Sequence, residues 1–502
     1  MEESMIYHSF LQWNSRRFHV VLLLMTGMTL FYYARTTIGL SMICMINSTY
    51  LEDKKNTKPV VEKKCQYIYN ISKGESKNFE GTINWDEEIQ NYIISSNFWG
   101  LLLTIFIAGV IVNKISPKKI IILSGSILLI TTAIFPILTI YWNYKLVIIS
   151  RFIFGIGEAF WAPSFNYILS NWIPLNEKSL AVGIYTSGVQ IAILLGNPIT
   201  GIFCNSTFGW PGTFYFSSLL ILIYIIIWII VIENCYKNDK WITKNEYIYL
   251  SKLISINEIN KKRKNIKILW FKIFTSLPLL SIIFCRISEM IYIVFSTTFL
   301  PLYLHDTLNI NIMSNSIYSS IPFVAQIISK ITIGIIVEKL QRKKILTPTQ
   351  CVKICQFISG IGVLIGFLII PHISDCTNPS LIVLTFSIVF FFFGISANGF
   401  FTSIYILSPQ LITIITSINL FVGILGAALT PYIISFLKNL NKSKGWDNVL
   451  YFIGLIWFLT SIFFTIFGYG EEQEWVEDIS TNKYENRNLL DKKIINNKKN
   501  KK

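Results

Sequence analysis

The feature that most limits what this chain can fold into is the recurrence of long apolar runs. About 20 apolar residues in a row cross the hydrocarbon of a bilayer as a helix. Measured that way, the sequence holds about twelve spans, near residues 18–46, 91–114, 119–141, 145–171, 178–204, 211–233, 273–303, 316–338, 345–371, 380–404, 407–437 and 447–469. Charge content agrees. Only 14% of the 502 residues are Asp, Glu, Lys or Arg and 52% are hydrophobic, with a mean hydropathy of +0.52. A soluble domain keeps about 25% of its residues charged to face water. The 15% aromatic content suits belts at the two membrane interfaces. Met1–Arg17 is too polar for a signal peptide, and the run after it is too long for one. The expected fold class is an all-α membrane protein of about twelve transmembrane helices.

The spans fall into six, a polar Lys-rich stretch, and six more. This gives an N-terminal segment 1–17, a first half 18–233 with a long outer loop 47–90, a linker 234–272, a second half 273–469 and a basic tail 470–502. A repeated loop supports two related halves. After the second span the chain reads Gly109-Val-Ile-Val-Asn113-Lys-Ile-Ser-Pro-Lys118-Lys119, and after the eighth Gly334-Ile-Ile-Val-Glu338-Lys-Leu-Gln-Arg342-Lys343-Lys344. Both resemble the G-x-x-x-D-x-x-G-R-[RK]-[RK] loop of the major facilitator superfamily. The physical reading is a close helix contact at the Gly and basic residues held on one side of the membrane.

Sidedness follows from the same charges. Arg16, Arg17, Lys114, Lys118, Lys119, Lys178, the linker, Arg342–Lys344 and the tail share one side, cytoplasmic by the positive-inside rule. Both termini are then cytoplasmic. The sequons at Asn47, Asn70, Asn205 and Asn441 all fall in outer loops, where glycosylation occurs. Asn47 and Asn205 lie close to the membrane. Cys65 and Cys376 are in outer loops and Cys204 is near the outer surface, so an outer disulfide is open.

Other classes are not indicated. The eight Cys form no CxxC pair and the four His no HExxH, so no metal or redox cofactor is expected. No nucleophile–base pair or phosphate loop suggests an enzyme. The net charge of +16 sits between spans and in Lys492–Lys502, which suits anionic lipid and gives no face for nucleic acid. Oligomeric state is not legible.

Longer strings resemble solute carrier family 17, a family of anion–cation symporters, from about Phe18 to Trp475. They are Tyr33-Ala-Arg35, Asn84-Trp85-Asp86, Asn97-Phe98-Trp99-Gly100, Arg151-Phe-Ile-Phe-Gly155-Ile-Gly157-Glu158 through Pro163, Trp172-Ile-Pro174 through Glu177-Lys178-Ser179, Gly209-Trp210-Pro211, and Gly470-Glu471-Glu-Gln473-Glu-Trp475. The resemblance implies a central cavity lined by the first helix of each half, and essential residues at Arg151 and Glu158.

Charged residues inside a span cost a few kcal/mol each and are functional candidates by default. Arg151 and Glu158 are two helical turns apart on one face. They read either as an anion site with a proton-titratable carboxylate or as a buried structural pair. Arg35 and Arg286, from the first helices of the two halves, would offer an anion planar guanidinium forks. Arg286 could instead pair with Glu289 three residues on. Tyr32, Tyr33 and Asn419 are secondary candidates, and Lys330 reads as structural or snorkelling.

Some family residues are missing. The tenth-helix stretch Ser403-Ile-Tyr-Ile406-Leu-Ser-Pro409-Gln410 lacks the family's Asp and Arg. Ile94 and Phe154 stand where the glutamate-transporting and sialic-acid-transporting branches carry His and Glu. Glu485 with Leu489-Leu490 forms an acidic dileucine of the kind read for lysosomal or vesicle sorting, as an alternative to the plasma membrane. The expected function is secondary active transport of a small organic anion or inorganic phosphate, with H+ or Na+ or the membrane potential as drive. An anion channel or a non-transporting sensor of the same fold is the alternative.

Overall fold

The computed structural model describes residues 12–47, 81–251, 266–268, 270–308, 310–373, 378–407, 412–440, 445–471, 473 and 476–478. Asn70, Asn441, Cys65, Cys376, Glu485, Leu489 and Leu490 lie outside the described residues. Twelve helices are long and apolar enough to cross a membrane. They are α1 (Arg16–Met45), α2 (Glu87–Val112), α3 (Pro117–Tyr141), α4 (Tyr144–Trp172), α5 (Ala181–Cys204), α6 (Gly209–Val231), α7 (Leu277–Leu308), α8 (Ile312–Gln341), α9 (Pro348–Ile373), α10 (Pro379–Ile404), α11 (Ile415–Leu440) and α12 (Gly445–Phe467). Large apolar side chains such as Leu123 and Ile230 are about two-thirds exposed on the outside of the bundle, as expected where lipid is the solvent.

The pairing of helices repeats with a period of six. In the first half α1 packs on α5, α2 on α4 and α3 on α6. In the second α7 packs on α11, α8 on α10 and α9 on α12. The halves meet through α2 with α11 and α5 with α8, again equivalent elements exchanged. The two halves are therefore pseudo-repeats.

Local sequence explains the irregular points. Pro163 lacks an N–H and its ring crowds the carbonyl four residues back. The helix accordingly breaks at Ala159–Phe160, between Tyr144–Glu158 and Trp161–Trp172. Gly209 takes φ +60°, a left-handed turn open to Gly, and Pro211 follows in the first turn of α6.

At the end where α1 starts, the linker folds back on the first half. Glu246 accepts from the Ser15 hydroxyl (3.0 Å), the Arg16 and Arg17 N–H groups (3.0 and 3.1 Å) and Arg17 Nε (2.9 Å). It thus caps α1 and neutralises its Arg. Arg17 also pairs with Glu177, which accepts from Tyr249 at 3.1 Å. Arg16 pairs with Asp239 at 3.1 Å. Burial pushes the Glu246 carboxyl up, but the donors from Arg16, Arg17 and Ser15 together hold it below its usual value. In the second half, Ile266–Ile268 pairs antiparallel with Val476–Asp478, joining the linker's end to the tail.

At the opposite end a disulfide joins Cys44 of α1 to Cys204 of α5. Cys204 is the last residue of α5. Its partner comes from inside the first apolar run. The inter-half bonds cluster here: Asn197 Nδ2 donates to Ser319 Oγ at 3.0 Å, Ser320 Oγ to the Ile193 carbonyl at 3.4 Å, and Lys438 pairs with Glu87 at 3.4 Å. The two loop glycines differ in the space around them. A Cβ on Gly109 would meet open space, while one on Gly334 would lie 3.3 Å from Asn398.

Candidate substrate site

Between the halves lies a cavity of about 110 Å³ whose charged lining residues are Arg35, Glu158 and Arg286. Tyr32, Phe98, Trp161 and Met290 give it an aromatic and apolar wall. Each residue has a local reason for its place. Gly155 and Gly100 let α4 and α2 touch backbone to backbone. A Cβ on Gly155 would sit 2.0 Å from the Asn97 carbonyl, and one on Gly100 2.1 Å from that of Phe152. That contact brings Glu158 beside α2, and the break after it leaves Glu158 at a helix end facing the cavity.

Glu158 is held by two helices other than its own. Arg35 Nη1 of α1 donates to Oε1 at 2.8 Å, and Asn97 Nδ2 of α2 donates to Oε2 at 3.0 Å. Arg35 also lies over the rings of Tyr32 (5.0 Å) and Phe98 (4.8 Å). In the second half Arg286 pairs with Glu289 of its own helix, and Gly423 of α11 makes room for the guanidinium. Arg286 thus both pairs with Glu289 and lines the cavity. Lys330 of α8 is half-buried and near enough to Glu289 to interact electrostatically.

Of the two readings of Arg151 and Glu158, the structure does not show the buried pair. Glu158 bonds Arg35. Arg151, only 4% exposed, lies over Phe135 (5.1 Å) and Phe154 (5.4 Å), with no carboxylate bonded to it among the described residues. It does not line the cavity. Seven-residue spacing puts the two on one face of the helix Tyr144–Glu158, and the bonds to Glu158 come from Arg35 of α1 and Asn97 of α2. Tyr33 packs on Gly196, away from the cavity, and Asn419 is buried outside its lining. Asn205 is exposed just past α5, and the Asn47 N–H bonds the Ile83 carbonyl. Asn97 was legible only as part of a motif. A neutral amide in an apolar run raises no charge signal.

Two six-helix halves packed around a charged cavity at their seam are the architecture of a membrane transporter. Residues 24–431 match the family model of the Major Facilitator Superfamily. The uncharacterized transporter slc-17.3 of Caenorhabditis elegans is 30% identical over 94% of this chain and 91% of that protein. Human sialin is 27% identical over 92% and 91%, and bovine vesicular glutamate transporter 2 is 25% identical over 93% and 76%. The fold is also that of the inward-open xylose transporter XylE from E. coli, with a TM-score of 0.66 at 13% identity over 90% of this chain and 96% of that one. The chain belongs to the major facilitator superfamily and, within it, to solute carrier family 17.

Proposed function

We propose that this protein is a secondary active transporter of a small organic anion or inorganic phosphate, driven by a proton or sodium gradient or the membrane potential. The observation that carries this reading is the cavity at the seam, where Arg35 and Arg286 arrive from opposite halves, each held by a carboxylate. A substrate anion competes with those carboxylates for the guanidinium forks. Protonation of Glu158 removes its hold on Arg35 and frees that fork for the anion. Loss of the proton returns Arg35 to Glu158 and expels the anion. Arg151, buried without a bonded carboxylate, keeps the region positive. The relatives named for sialin and for glutamate transport support an organic acid as cargo.

The membrane is that of the cell surface or of a lysosome or secretory vesicle. Disulfides form in oxidising compartments, so Cys44–Cys204 supports an outer or lumenal face at that end and cytoplasmic termini at the other. The test is uptake into proteoliposomes under an imposed pH gradient and potential, with glutamate, sialic acid, phosphate, urate and ATP offered in turn. Saturable uptake that is lost in Arg35→Ala is expected. Folded protein that moves none of the five, with or without a gradient, would count against the reading.

A further inference from the structure

We infer that Asn97 is the residue that lets Glu158 change protonation state without leaving its place, a positioning residue for coupling. The inference rests on Glu158 being the coupling carboxylate. Asn97 is 4% exposed, and its Nδ2 donates to Glu158 Oε2 at 3.0 Å. Its Oδ1 is buried and has no hydrogen-bond partner among the described residues. A buried amide oxygen left unpaired is costly, so its position next to the carboxylate needs an explanation.

The two charge states of a carboxyl group ask for different neighbours. An ionised carboxylate only accepts, whereas a protonated one must also donate its O–H. Arg35, the other partner, has donors only. It satisfies the ionised form and offers nothing to the acid. An amide has both kinds of group. With Glu158 ionised, Asn97 donates through Nδ2, as seen. With Glu158 protonated, rotation of the amide by half a turn brings the idle Oδ1 to the O–H. The proton added to Oε2 is then bonded to Oδ1: an O–H···Oδ1 bond replaces the Nδ2–H···Oε2 bond, and the Arg35 bond to Oε1 is given up as that side chain is released.

The backbone fixes this pair. The Gly155 contact with the Asn97 carbonyl sets the α2–α4 spacing at that residue, so the amide need only turn about its side-chain bonds. The other titratable or charged groups around Glu158 are Arg35 and Tyr32 of α1, Arg151 on its own helix, and Arg286 across the cavity with Glu289 beside it. Among these described groups, Asn97 is the one that both donates to Glu158 and carries a free acceptor.

The experiment needs no substrate. The full chain is reconstituted in lipid, and the infrared carbonyl stretch of protonated carboxyl groups is followed between about pH 4 and pH 9. The band absent from Glu158→Gln belongs to Glu158. In Asn97→Leu its midpoint should move up by about one pH unit, because a bond to the charged form is stronger than one to the neutral form. Asn97→Asp should move it further, since two carboxylates share one site. Asn97→Ser, which can donate and accept, should return it towards the parent value and guards against a folding defect. An unmoved midpoint in both Asn97→Leu and Asn97→Asp would overturn the inference while leaving Glu158 as the coupling group. If Glu158→Gln removed no titrating band, the coupling reading would fail and this inference with it.

Discussion

The two halves share a plan but hold their charges differently. In the first half one carboxylate joins three helices: Glu158 on α4 binds Arg35 on α1 and Asn97 on α2. In the second half the equivalent first helix carries both partners, Arg286 and Glu289, one turn apart on α7. Neutralising Glu158 therefore loosens contacts between helices. Neutralising Glu289 breaks a bond within one helix and weakens its attraction for Lys330 of α8. The first half is also tied at both ends, by the disulfide and by the Glu246 cluster. The lesson is that a repeated fold can join its helices through a charge in one copy and keep the matching charge pair on a single helix in the other.

The sharpest way to break that comparison is to remove charges in matched pairs. Arg35→Ala leaves Glu158 buried without its cation, a loss of ~3–5 kcal/mol, and uptake should fall about 100-fold or more. Glu158→Gln should abolish gradient-driven accumulation while counterflow exchange survives. Glu289→Gln should change accumulation by about fivefold or less, near the ~1 kcal/mol of a local bond. Equal losses in Glu158→Gln and Glu289→Gln, read in the same proteoliposomes, would end the asymmetry.

Glycines give a smaller contrast. In Gly155→Ala the new methyl meets backbone 2.0 Å away, so α2 and α4 must part, at about 1–3 kcal/mol. In Gly423→Ala it meets the Arg286 side chain at 2.7 Å, which can swing aside. Thermal unfolding in detergent should show a clear drop for the first and little change for the second, with Arg286 function altered instead.

The smallest effect concerns pH. The folded Glu246 carboxyl is depressed below its unfolded value of about 4.5. Its stabilisation is therefore complete above that value and is lost as pH falls through the folded one. Melting temperature should drop on acidification below about pH 4, and less so in Glu246→Gln, which loses about 1.5 kcal/mol near neutrality.

Much of this was legible in the sequence, for a physical reason. A bilayer sets a minimum apolar length, so the spans declare themselves, and α1, α6 and α9 lie within a few residues of where they were expected. The start of α2 at Glu87 was hidden because its first turn is acidic. Charges stand out against an apolar background, so Arg35, Glu158 and Arg286 could be singled out. Their partners could not. Arg151 met the spacing rule for Glu158, but Arg35 of α1 and Asn97 of α2 bond the carboxylate, and which helices come alongside is a property of packing. Cys44 looked like an ordinary apolar residue of its span. Glu246 stood in a polar stretch where a charge is unremarked.

The cap on α1 has a practical consequence for where the chain can be divided. The last membrane helix of the first half ends at Val231, yet the group that closes the start of α1 is Glu246, fifteen residues later. A fragment cut at Val231 leaves the backbone N–H groups of Arg16 and Arg17 and the Arg17 side chain without that carboxylate. A fragment cut after residue 251 carries its own closure. Co-expressed as two pieces, the protein should therefore reassemble from 1–251 with the remainder and fail from a division at the membrane edge. The seam between the two modules lies inside what reads as a connecting loop.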